Sequence, residues 1–228
     1  MNDLNNFRYE RKFLISGITK SEIESIVKLH PALFSEIFHK RSVNNIYYDS
    51  PELNNYFDNI DGNLQRIKTR IRWYGALFDE IKKPVLELKI KKGLLGKKLS
   101  YSINSFKLDN NYNTQKIAHV IQNSEIPNFV KTGLKALNPI LLNRYTRKYF
   151  LSADKKYRIT IDTGQAFYRI GSWHNLFIKI MPDDTNIILE LKYDMAYDND
   201  ARQITNLFPF RLTKSSKYVQ GVERVFVQ

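Results

Sequence analysis

Charged side chains recur at every second position in four short segments of this sequence. The segments are residues 8–13 (RYERKF), 68–73 (KTRIRW), 86–91 (LELKIK) and 189–193 (LELKY). Alternate side chains of a β-strand point to opposite faces, so each segment predicts a strand with one mainly apolar face and one charged face. Cations outnumber carboxylates on the charged faces. Arg offers a planar, two-pronged fork and Lys a point charge, a combination that suits phosphate oxygens.

The recurrence of this pattern favours charged faces that look at one another across a lumen. Two like charges about 6 Å apart repel by roughly 3 kcal/mol at an effective dielectric of ~20, whereas a whole domain is stable by only ~5–15 kcal/mol. We therefore expect the lumen to stay hydrated or to bind an anion with repeated oxygens, and a phosphate chain fits best. The alternative is that these are the solvated outer faces of an open sheet. The predicted inward cations are Arg8, Lys12, Lys68, Arg70, Arg72, Lys89, Lys91, Arg147, Arg158, Lys192, Lys214 and Lys217, and the predicted inward carboxylates are Glu10, Glu87, Asp162 and Glu190.

Carboxylates among these cations are candidate metal ligands. Mg²⁺ and Mn²⁺ prefer oxygen ligands and are commonly held by one or two carboxylates together with substrate phosphates. Glu190, which lies between apolar neighbours, is the leading metal candidate. Glu10 and Glu87 are further candidates, and for both a role as structural counter-ion is equally open.

Other kinds of catalytic site have no support in the sequence. There is no cysteine, no Gly-x-Ser-x-Gly motif and no glycine-rich phosphate loop, so phosphate would be bound by side chains. An expected helix near the C-terminus begins at a short basic segment, whose side chains are predicted to hold a terminal phosphate. They are those of Lys214, Ser216 and Lys217. The alternative for Ser216 is that its hydroxyl caps that helix.

Strands separated by turns, without regular alternation with helices, predict an antiparallel, closed sheet. Thr19 and Glu22 form a capping box at the start of the first predicted helix. Residues 92–98 are predicted to be a basic loop, and residues 114–137 a helical insert. The predicted strands cover about 7–15, 42–48, 66–74, 84–91, 99–103, 142–151, 156–163, 166–171, 176–181 and 187–194, and a last helix covers Lys217–Phe226.

Length and composition predict one domain over residues 1–228 with a polyanionic partner. Lys and Arg outnumber Asp and Glu by 36 to 23, which gives a formal net charge of +13. Nucleic acid is not the expected partner, because Trp73 alternates away from Arg70 and Arg72 and so offers no stacking surface beside them. No signal-peptide pattern and no apolar run of transmembrane length is present, and we expect a cytoplasmic protein.

Taken in order, these segments resemble the vacuolar transporter chaperone (VTC) domain, the polyphosphate polymerase branch of the triphosphate tunnel metalloenzymes in the CYTH-like superfamily. Each motif alone is weak, but their succession covers nearly the whole chain. The motifs are residues 8–13 (RYERKF), 46–51 (IYYDSP), 61–62 (DG), 68–74 (KTRIRWY), 87–89 (ELK), 145–147 (YTR), 158–162 (RITID), 189–192 (LELK) and 214–218 (KSSKY).

The resemblance implies a β-dominated α+β fold: a closed eight-stranded antiparallel β-barrel, or triphosphate tunnel, with peripheral helices. It implies transfer of the γ-phosphate of ATP to a growing polyphosphate chain, with Mn²⁺ or Mg²⁺ as cofactor and Glu190 as its ligand. Two alternatives stay open: a metal-dependent triphosphatase and a non-catalytic polyphosphate-binding module. The residues that match the family's catalytic and phosphate-binding positions are Lys12, Arg70, Arg72, Lys89, Arg147, Arg158, Lys214, Ser216 and Lys217.

One departure from related hydrolases concerns the first segment. Those hydrolases often begin with a Glu-x-Glu-x-Lys triplet, and Arg8 stands here at the first Glu position, which favours the polymerase-like members. No phosphate-sensing domain or membrane helices are seen in the sequence, so product export is not expected to be encoded in it. Product chain length, the choice between Mn²⁺ and Mg²⁺ and the oligomeric state are left open.

Overall fold

The computed structural model describes residues 8–92, 95–173, 175, 177, 181–183 and 185–226, with the backbone alone at residues 8, 92 and 95. The chain divides into two compact units. The first comprises the described parts of Met1–Arg41, Tyr145–Gln165 and Asp183–Ser215, and the second those of Ser42–Arg144, Ala166–Pro182 and Ser216–Gln228.

Strands dominate the described residues, and helices are short. The strands are β1 (Arg8–Ile15), β2 (Ser35–Asp49), β3 (Gln65–Tyr74), β4 (Asp79–Ile81), β5 (Val85–Lys92), β6 (Leu95–Ser102), β7 (Phe106–Leu108), β8 (Asn138–Leu151), β9 (Tyr157–Arg169), β10 (Met181–Asp183) and β11 (Ile187–Asp194). The helices are α1 (Lys20–Lys28), α2 (Asn54–Ile60), α3 (Thr114–Gln122), α4 (Asn128–Leu134), α5 (Asp198–Asn206) and α6 (Lys217–Phe226).

The first unit is organised around antiparallel pairing of β1 with β11 and of β11 with β9. Lys12 lies opposite Glu190, and Glu190 lies opposite Thr160. The intervening residues of each strand turn to the other face, where they are buried against α1 and α5. That apolar core includes Phe13, Ile23, Val27, Ile159, Ile161, Leu189, Leu191 and Ala201.

The second unit contains the antiparallel succession β2–β3–β5–β6, and β8 is hydrogen-bonded between β9 and β2. Ile71 and Trp73 of β3 are buried, whereas Lys68, Arg70 and Arg72 between and before them are only half-buried and share the opposite face. Helices α3 and α4 cover the apolar face of this sheet. Their buried residues there are Ile117, Ile121, Val130 and Leu134.

Helix α6 packs on a separate apolar cluster of the second unit, which contains Leu141, Phe167 and Val222. The hydroxyl of Tyr218, in the first turn of the helix, donates a short hydrogen bond to the buried carboxylate of Asp49. The position of α6 is therefore fixed by a polar anchor as well as by apolar packing.

The β-dominated α+β class and the antiparallel sheet are confirmed, as are most of the predicted elements. Thr19 and Glu22 form the expected capping box of α1, with Glu22 N 3.3 Å from Thr19 Oγ1 and Thr19 N 2.8 Å from Glu22 Oε2. The closure of the sheet into an eight-stranded barrel stays a prediction, as does the single domain over residues 1–228. In the described part of the chain, no helix has both the length and the apolar character needed to cross a membrane.

Several predicted elements differ in the structure. The predicted basic loop at 92–98 is mostly strand, because β5 extends to Lys92 and β6 begins at Leu95; residues 93 and 94 lie outside the described residues. The strands predicted at 156–163 and 166–171 are one strand, β9, which passes through Gly164 at φ +58°, a conformation that favours glycine. Most of the strand predicted at 176–181 lies outside the described residues.

Candidate functional site

The charged faces of the first unit come together as one cluster, which we call the first charged cluster. Strand register places Glu10 opposite Lys192 and Lys192 opposite Arg158, two residues along the strands from Lys12, Glu190 and Thr160. This cluster contains four cations and three carboxylates. The members are Glu10, Lys12, Arg147, Arg158, Asp162, Glu190 and Lys192.

Lys12 links two carboxylates of this cluster. Its Nζ lies 3.1 Å from Glu10 Oε1 and 3.3 Å from Glu190 Oε1, and it donates a hydrogen bond of 3.1 Å to the carbonyl oxygen of Ser215. Burial lowers the pKa of Lys12, but the two carboxylates outweigh burial and raise that pKa above its ordinary value. Lys12 is therefore a fixed positive charge at neutral pH.

Glu190 is buried and surrounded by cations. Its Oε2 lies 2.8 Å from Lys192 Nζ and 3.7 Å from an Arg147 nitrogen. Burial raises the pKa of Glu190, but the positive charges of Lys192, Lys12 and Arg147 outweigh burial and hold that pKa well below its usual range. A carboxylate that stays ionised in a buried position is suited to bind a cation.

Arg147 is held by Asp162 in a two-pronged ion pair. Its Nε lies 2.6 Å from Asp162 Oδ1 and its Nη2 2.7 Å from Asp162 Oδ2. The guanidinium also lies over the ring of Tyr145, 5.3 Å from the centroid. Burial lowers the pKa of Arg147, but Asp162 raises it well above its ordinary value. The pair fixes the orientation of the Arg147 side chain toward the rest of the cluster.

The second unit holds another charged cluster, on the shared face of β3, β5 and β6. Lys68 lies opposite Lys89, and Lys89 lies opposite Lys98, so three lysines form one row across neighbouring strands. Like charges directly opposite each other destabilise a sheet. The members of this second charged cluster are Lys68, Arg70, Arg72, Glu87, Lys89, Lys91 and Lys98.

Glu87 is the carboxylate of the second charged cluster. Its Oε2 accepts from Arg70 Nε at 2.7 Å and lies 3.9 Å from an Arg72 nitrogen, and Lys98 forms an ion pair with Oε1. Burial raises the pKa of Glu87, but Arg70 and Arg72 outweigh it and lower the pKa to about 2. With three cations around it, the counter-ion interpretation of Glu87 is favoured, and its role as a metal ligand stays a prediction.

Lys214, Ser216 and Lys217, which are predicted to hold a terminal phosphate, differ in their surroundings. Ser216 Oγ accepts from Lys68 Nζ at 3.0 Å and from the backbone N–H of Val219 at 3.4 Å, so the capping alternative describes it well. Lys217 is half-buried in the first turn of α6, and Lys214 is exposed. The side chain of Arg8 lies outside the described residues, and Lys91 is half-buried near the end of β5.

The arginines of both clusters and the lysines of the first are more buried than on a solvated outer face, whereas Lys89 and Lys98 of the second cluster are exposed. The side chains of Arg147 and Arg72 are 11% and 12% exposed, and those of Arg70, Lys192 and Lys12 are 24–27% exposed. Cations of this density in such an environment favour an anionic ligand. Three further residues adjoin these clusters and are not among the predicted site residues, although the alternation of Thr160 with Arg158 and Asp162 is visible in the sequence. They are Asn45, which accepts from Arg72 Nε at 2.8 Å, Thr160 and Ser215.

The donors available for a divalent metal are Glu10 and Glu190. The residues that the structure describes contain no group of three or more His, Cys, Asp and Glu side chains arranged to hold a metal. Glu10 and Glu190 nevertheless converge on a single ammonium group, that of Lys12. Two hard carboxylates combined with phosphate oxygens are a common ligand set for Mg²⁺ or Mn²⁺, so these residues fit such an ion.

Solved structures that are similar to this chain include three with the following matches. The protein PH1819 of Pyrococcus horikoshii OT3 is 14% identical, with a TM-score of 0.50, and the match covers 95% of this chain and 99% of that one. A proposed adenylate cyclase of Vibrio parahaemolyticus is 12% identical, with a TM-score of 0.51 and coverage of 94% and 97%. A proposed adenylyl cyclase of Hippeastrum, HpAC1, described as having a dominant triphosphatase activity, is 12% identical, with a TM-score of 0.48 and coverage of 92% and 93%.

No curated protein matches the chain in sequence. The family model of the VTC domain, in contrast, matches residues 7–226, which includes both charged clusters. The resemblance carried by the sequence motifs is therefore confirmed, and the chain belongs to the VTC domain family.

Proposed function

We propose that this protein is a metal-dependent phosphotransferase that lengthens inorganic polyphosphate at the expense of ATP. The proposal rests on membership of the VTC domain family together with one observation. That observation is the ion pair of Lys12 and Glu190, buried among Lys192, Arg147 and Glu10 in the first charged cluster. The proposal also includes the closed tunnel that the family resemblance implies. It includes a cytoplasmic location as well, where ATP is available.

Phosphoryl transfer requires little covalent chemistry from the protein, because positioning and charge stabilisation supply most of the rate. A terminal oxygen of the acceptor chain forms a bond to the γ-phosphorus of ATP. The bond between that phosphorus and the oxygen bridging it to the β-phosphate breaks, and ADP leaves. No protein nucleophile is needed, which agrees with the absence of nucleophile motifs in the sequence.

The side chains of the first charged cluster divide this work. Lys12, Lys192 and Arg158 bind phosphate oxygens and offset the negative charge shared among them. Arg147, oriented by Asp162, presents its remaining N–H groups toward the same ligand. Glu190, with Glu10 as a second ligand, would hold Mn²⁺ or Mg²⁺, which would supply neutralisation of charge on the phosphate oxygens.

The second charged cluster and the segment before α6 supply further phosphate contacts in this proposal. The lysine row of Lys68, Lys89 and Lys98 is relieved of repulsion when an anion binds to it. Arg70 and Arg72 take part beside Glu87, which orients them. The remaining proposed contacts are Arg8, Lys91, Lys214, Ser216 and Lys217.

The experiment that tests the proposal is incubation of the purified protein with ATP and Mn²⁺ or Mg²⁺, followed by phosphorus NMR and a polyphosphate gel. A mid-chain phosphate signal with release of ADP is expected. Arg158→Ala, in the cluster, should abolish the signal. Lys156→Gln is the matched control, because Lys156 is an exposed cation just before β9, paired loosely with Asp154 at 3.8 Å.

A metal-dependent triphosphatase is the second candidate, and the pairing of Glu10 with Glu190 at Lys12 favours it. Two carboxylates are enough to hold a metal that acts on a triphosphate. Orthophosphate without a mid-chain signal would overturn the polymerase in favour of this activity. Tight binding of polyphosphate without turnover of ATP or triphosphate would leave a binding module.

A further inference from the structure

Two hydroxyl groups beside the first charged cluster are buried without hydrogen bonds. Among the residues that the structure describes, neither Thr160 Oγ1 nor Ser215 Oγ has a hydrogen-bond partner, and Thr160 as a whole is 1% exposed. Burying a hydroxyl without a partner costs free energy, and most native structures avoid it. The presence of two such groups calls for a ligand or for a structural reason.

Both residues adjoin the same ion pair. Thr160 lies directly opposite Glu190 in the pairing of β11 with β9, and the carbonyl oxygen of Ser215 accepts from Lys12 Nζ at 3.1 Å. Thr160 also lies between Arg158 and Asp162 on the charged face of β9, since its neighbours Ile159 and Ile161 are in the apolar core. Thr160 is therefore next to Glu190, and the backbone of Ser215 is next to Lys12.

The charges near these hydroxyls indicate which kind of ligand could accept hydrogen bonds from them. A threonine or serine hydroxyl donates one hydrogen bond and has no charge of its own. Lys12, Lys192 and Arg158 lie on the same charged face as Thr160, and they favour an anion that offers several acceptor oxygens. Ser216 differs from Ser215, because its hydroxyl already accepts from Lys68 and from the N–H of Val219.

We propose that the hydroxyls of Thr160 and Ser215 donate hydrogen bonds to oxygens of the phosphate chain bound by the first charged cluster. This inference rests on the proposed function and adds two neutral binding residues to it. A neutral donor contributes directional contact without adding to the repulsion among the cations. The loss of one hydrogen bond to a charged ligand is expected to weaken binding about tenfold to a hundredfold.

The test separates ligand binding from folding. Thr160→Val keeps the shape of the side chain and removes its hydroxyl, whereas Thr160→Ser keeps the hydroxyl and removes only the methyl group. Binding of tripolyphosphate is measured by calorimetry without metal or nucleotide, and stability by urea denaturation. We expect Thr160→Val to bind at least about tenfold more weakly while being as stable as the wild type or more so, because an unsatisfied buried group has been removed.

Thr160→Ser should recover most of the affinity, and Ser215→Ala should weaken it as Thr160→Val does. Thr163→Val, in the same strand, is the matched control and should leave affinity unchanged. Unchanged affinity in Thr160→Val together with lower stability would overturn the inference, because the hydroxyl would then serve the fold. If the wild type itself does not bind tripolyphosphate, the proposed function fails, and this inference fails with it.

Discussion

Lys12 and Glu190 lie directly opposite each other on β1 and β11, with Lys12 Nζ 3.3 Å from Glu190 Oε1. The pairing lets two charges remain ionised in a buried place, where either alone would be costly. Both groups have further partners of opposite charge, Glu10 for Lys12 and Lys192 for Glu190. In the proposed function, a phosphate ligand would therefore meet a site whose charges are already fixed in position.

Glu190→Gln distinguishes a metal ligand from a counter-ion. We expect the metal-dependent turnover of ATP to fall by about a hundredfold or more, because charge stabilisation by the metal contributes several kcal/mol. Binding of tripolyphosphate without metal should instead become tighter, since a carboxylate beside the phosphates has been neutralised. Steady-state kinetics over a Mn²⁺ series and calorimetry provide the two measurements.

Glu10→Gln is the companion variant and should reduce turnover less, because Glu10 is the second candidate ligand. Full turnover in Glu190→Gln at all metal concentrations would contradict the role of Glu190 in metal binding. Weaker binding of metal-free tripolyphosphate in that variant would show that Glu190 chiefly positions Lys12 and Lys192.

Arg147→Ala should destabilise the fold by about 3–5 kcal/mol, because it leaves the buried carboxylate of Asp162 without its two-pronged partner. Arg70→Ala should cost less than about 1 kcal/mol, since Glu87 retains Arg72 and Lys98. Urea denaturation at neutral pH measures both changes.

Lys148 provides a control on the same strand as Arg147. It pairs with Glu24 at 2.8 Å, but Glu24 also has Lys20 at 3.7 Å and so keeps a cation when Lys148 is removed; Lys148→Ala should therefore cost about 1 kcal/mol, less than Arg147→Ala. The combination of Arg147→Met with Asp162→Leu should recover much of the lost stability, because the buried charge disappears. Equal losses from Arg147→Ala and Lys148→Ala would contradict this account.

The low pKa of Glu87, about 2, predicts a pH-dependent contribution to stability. An unfolded glutamate titrates near pH 4.3. Because the folded pKa is lower, the stabilisation is complete above about pH 5 and is lost as the pH falls through about 2. At pH 7 it amounts to at most about 3 kcal/mol, the free energy that corresponds to the pKa shift.

The measurement compares wild type with Glu87→Gln by urea denaturation from pH 7 down to pH 3. The difference in unfolding free energy should be largest at pH 7 and should shrink below about pH 5. Comparing the two proteins at each pH removes the contribution of the other carboxylates. A difference that stays constant over this range would mean that Glu87 gains nothing from its cations.

Gly221→Ala should destabilise helix α6 even though alanine is the better helix former. A Cβ at Gly221 would come 2.7 Å from Phe167 Cδ1 and would also press on the side chain of Leu141. Overpacking of this kind costs about 1–3 kcal/mol, which exceeds the gain of about 1 kcal/mol from helix propensity.

Gly133→Ala in α4 is the matched control, because a Cβ there meets nothing within 4 Å. That variant should be as stable as the wild type or up to about 1 kcal/mol more stable. Thermal and urea denaturation of both variants test the pair. Gain of stability in Gly221→Ala would show that α6 is not packed tightly against Leu141 and Phe167.

The alternation of residue types was sufficient to predict which face of β1, β3, β5 and β11 is charged. It could do so because the period of two is a local property of an extended backbone. The capping box of Thr19 and Glu22 is local in the same way. The ordered motifs, in turn, were enough to place the chain in its family.

Helices α2 and α5 depend on contacts that no local pattern contains. Asp49 accepts from the backbone N–H groups of Asn55 and Tyr56 in the first turn of α2, across a turn-rich segment. Asp198, at the start of α5, is held by Arg11 at 3.0 Å. Their Asn- and Asp-rich sequences have weak helix propensity, so tertiary contacts decide whether these segments are helical.

The order of residue types along each strand predicts that many cations and a few carboxylates share the charged faces of this sheet. Which of them pair depends on the folded chain, because strand register joins residues that are far apart in the sequence. Register brings Lys12 to Glu190, Arg70 to Glu87 and Thr160 to Glu190, and within the described part of the chain the Thr160 hydroxyl has no hydrogen-bond partner. None of these pairings can be deduced from the alternation of residue types along a single strand.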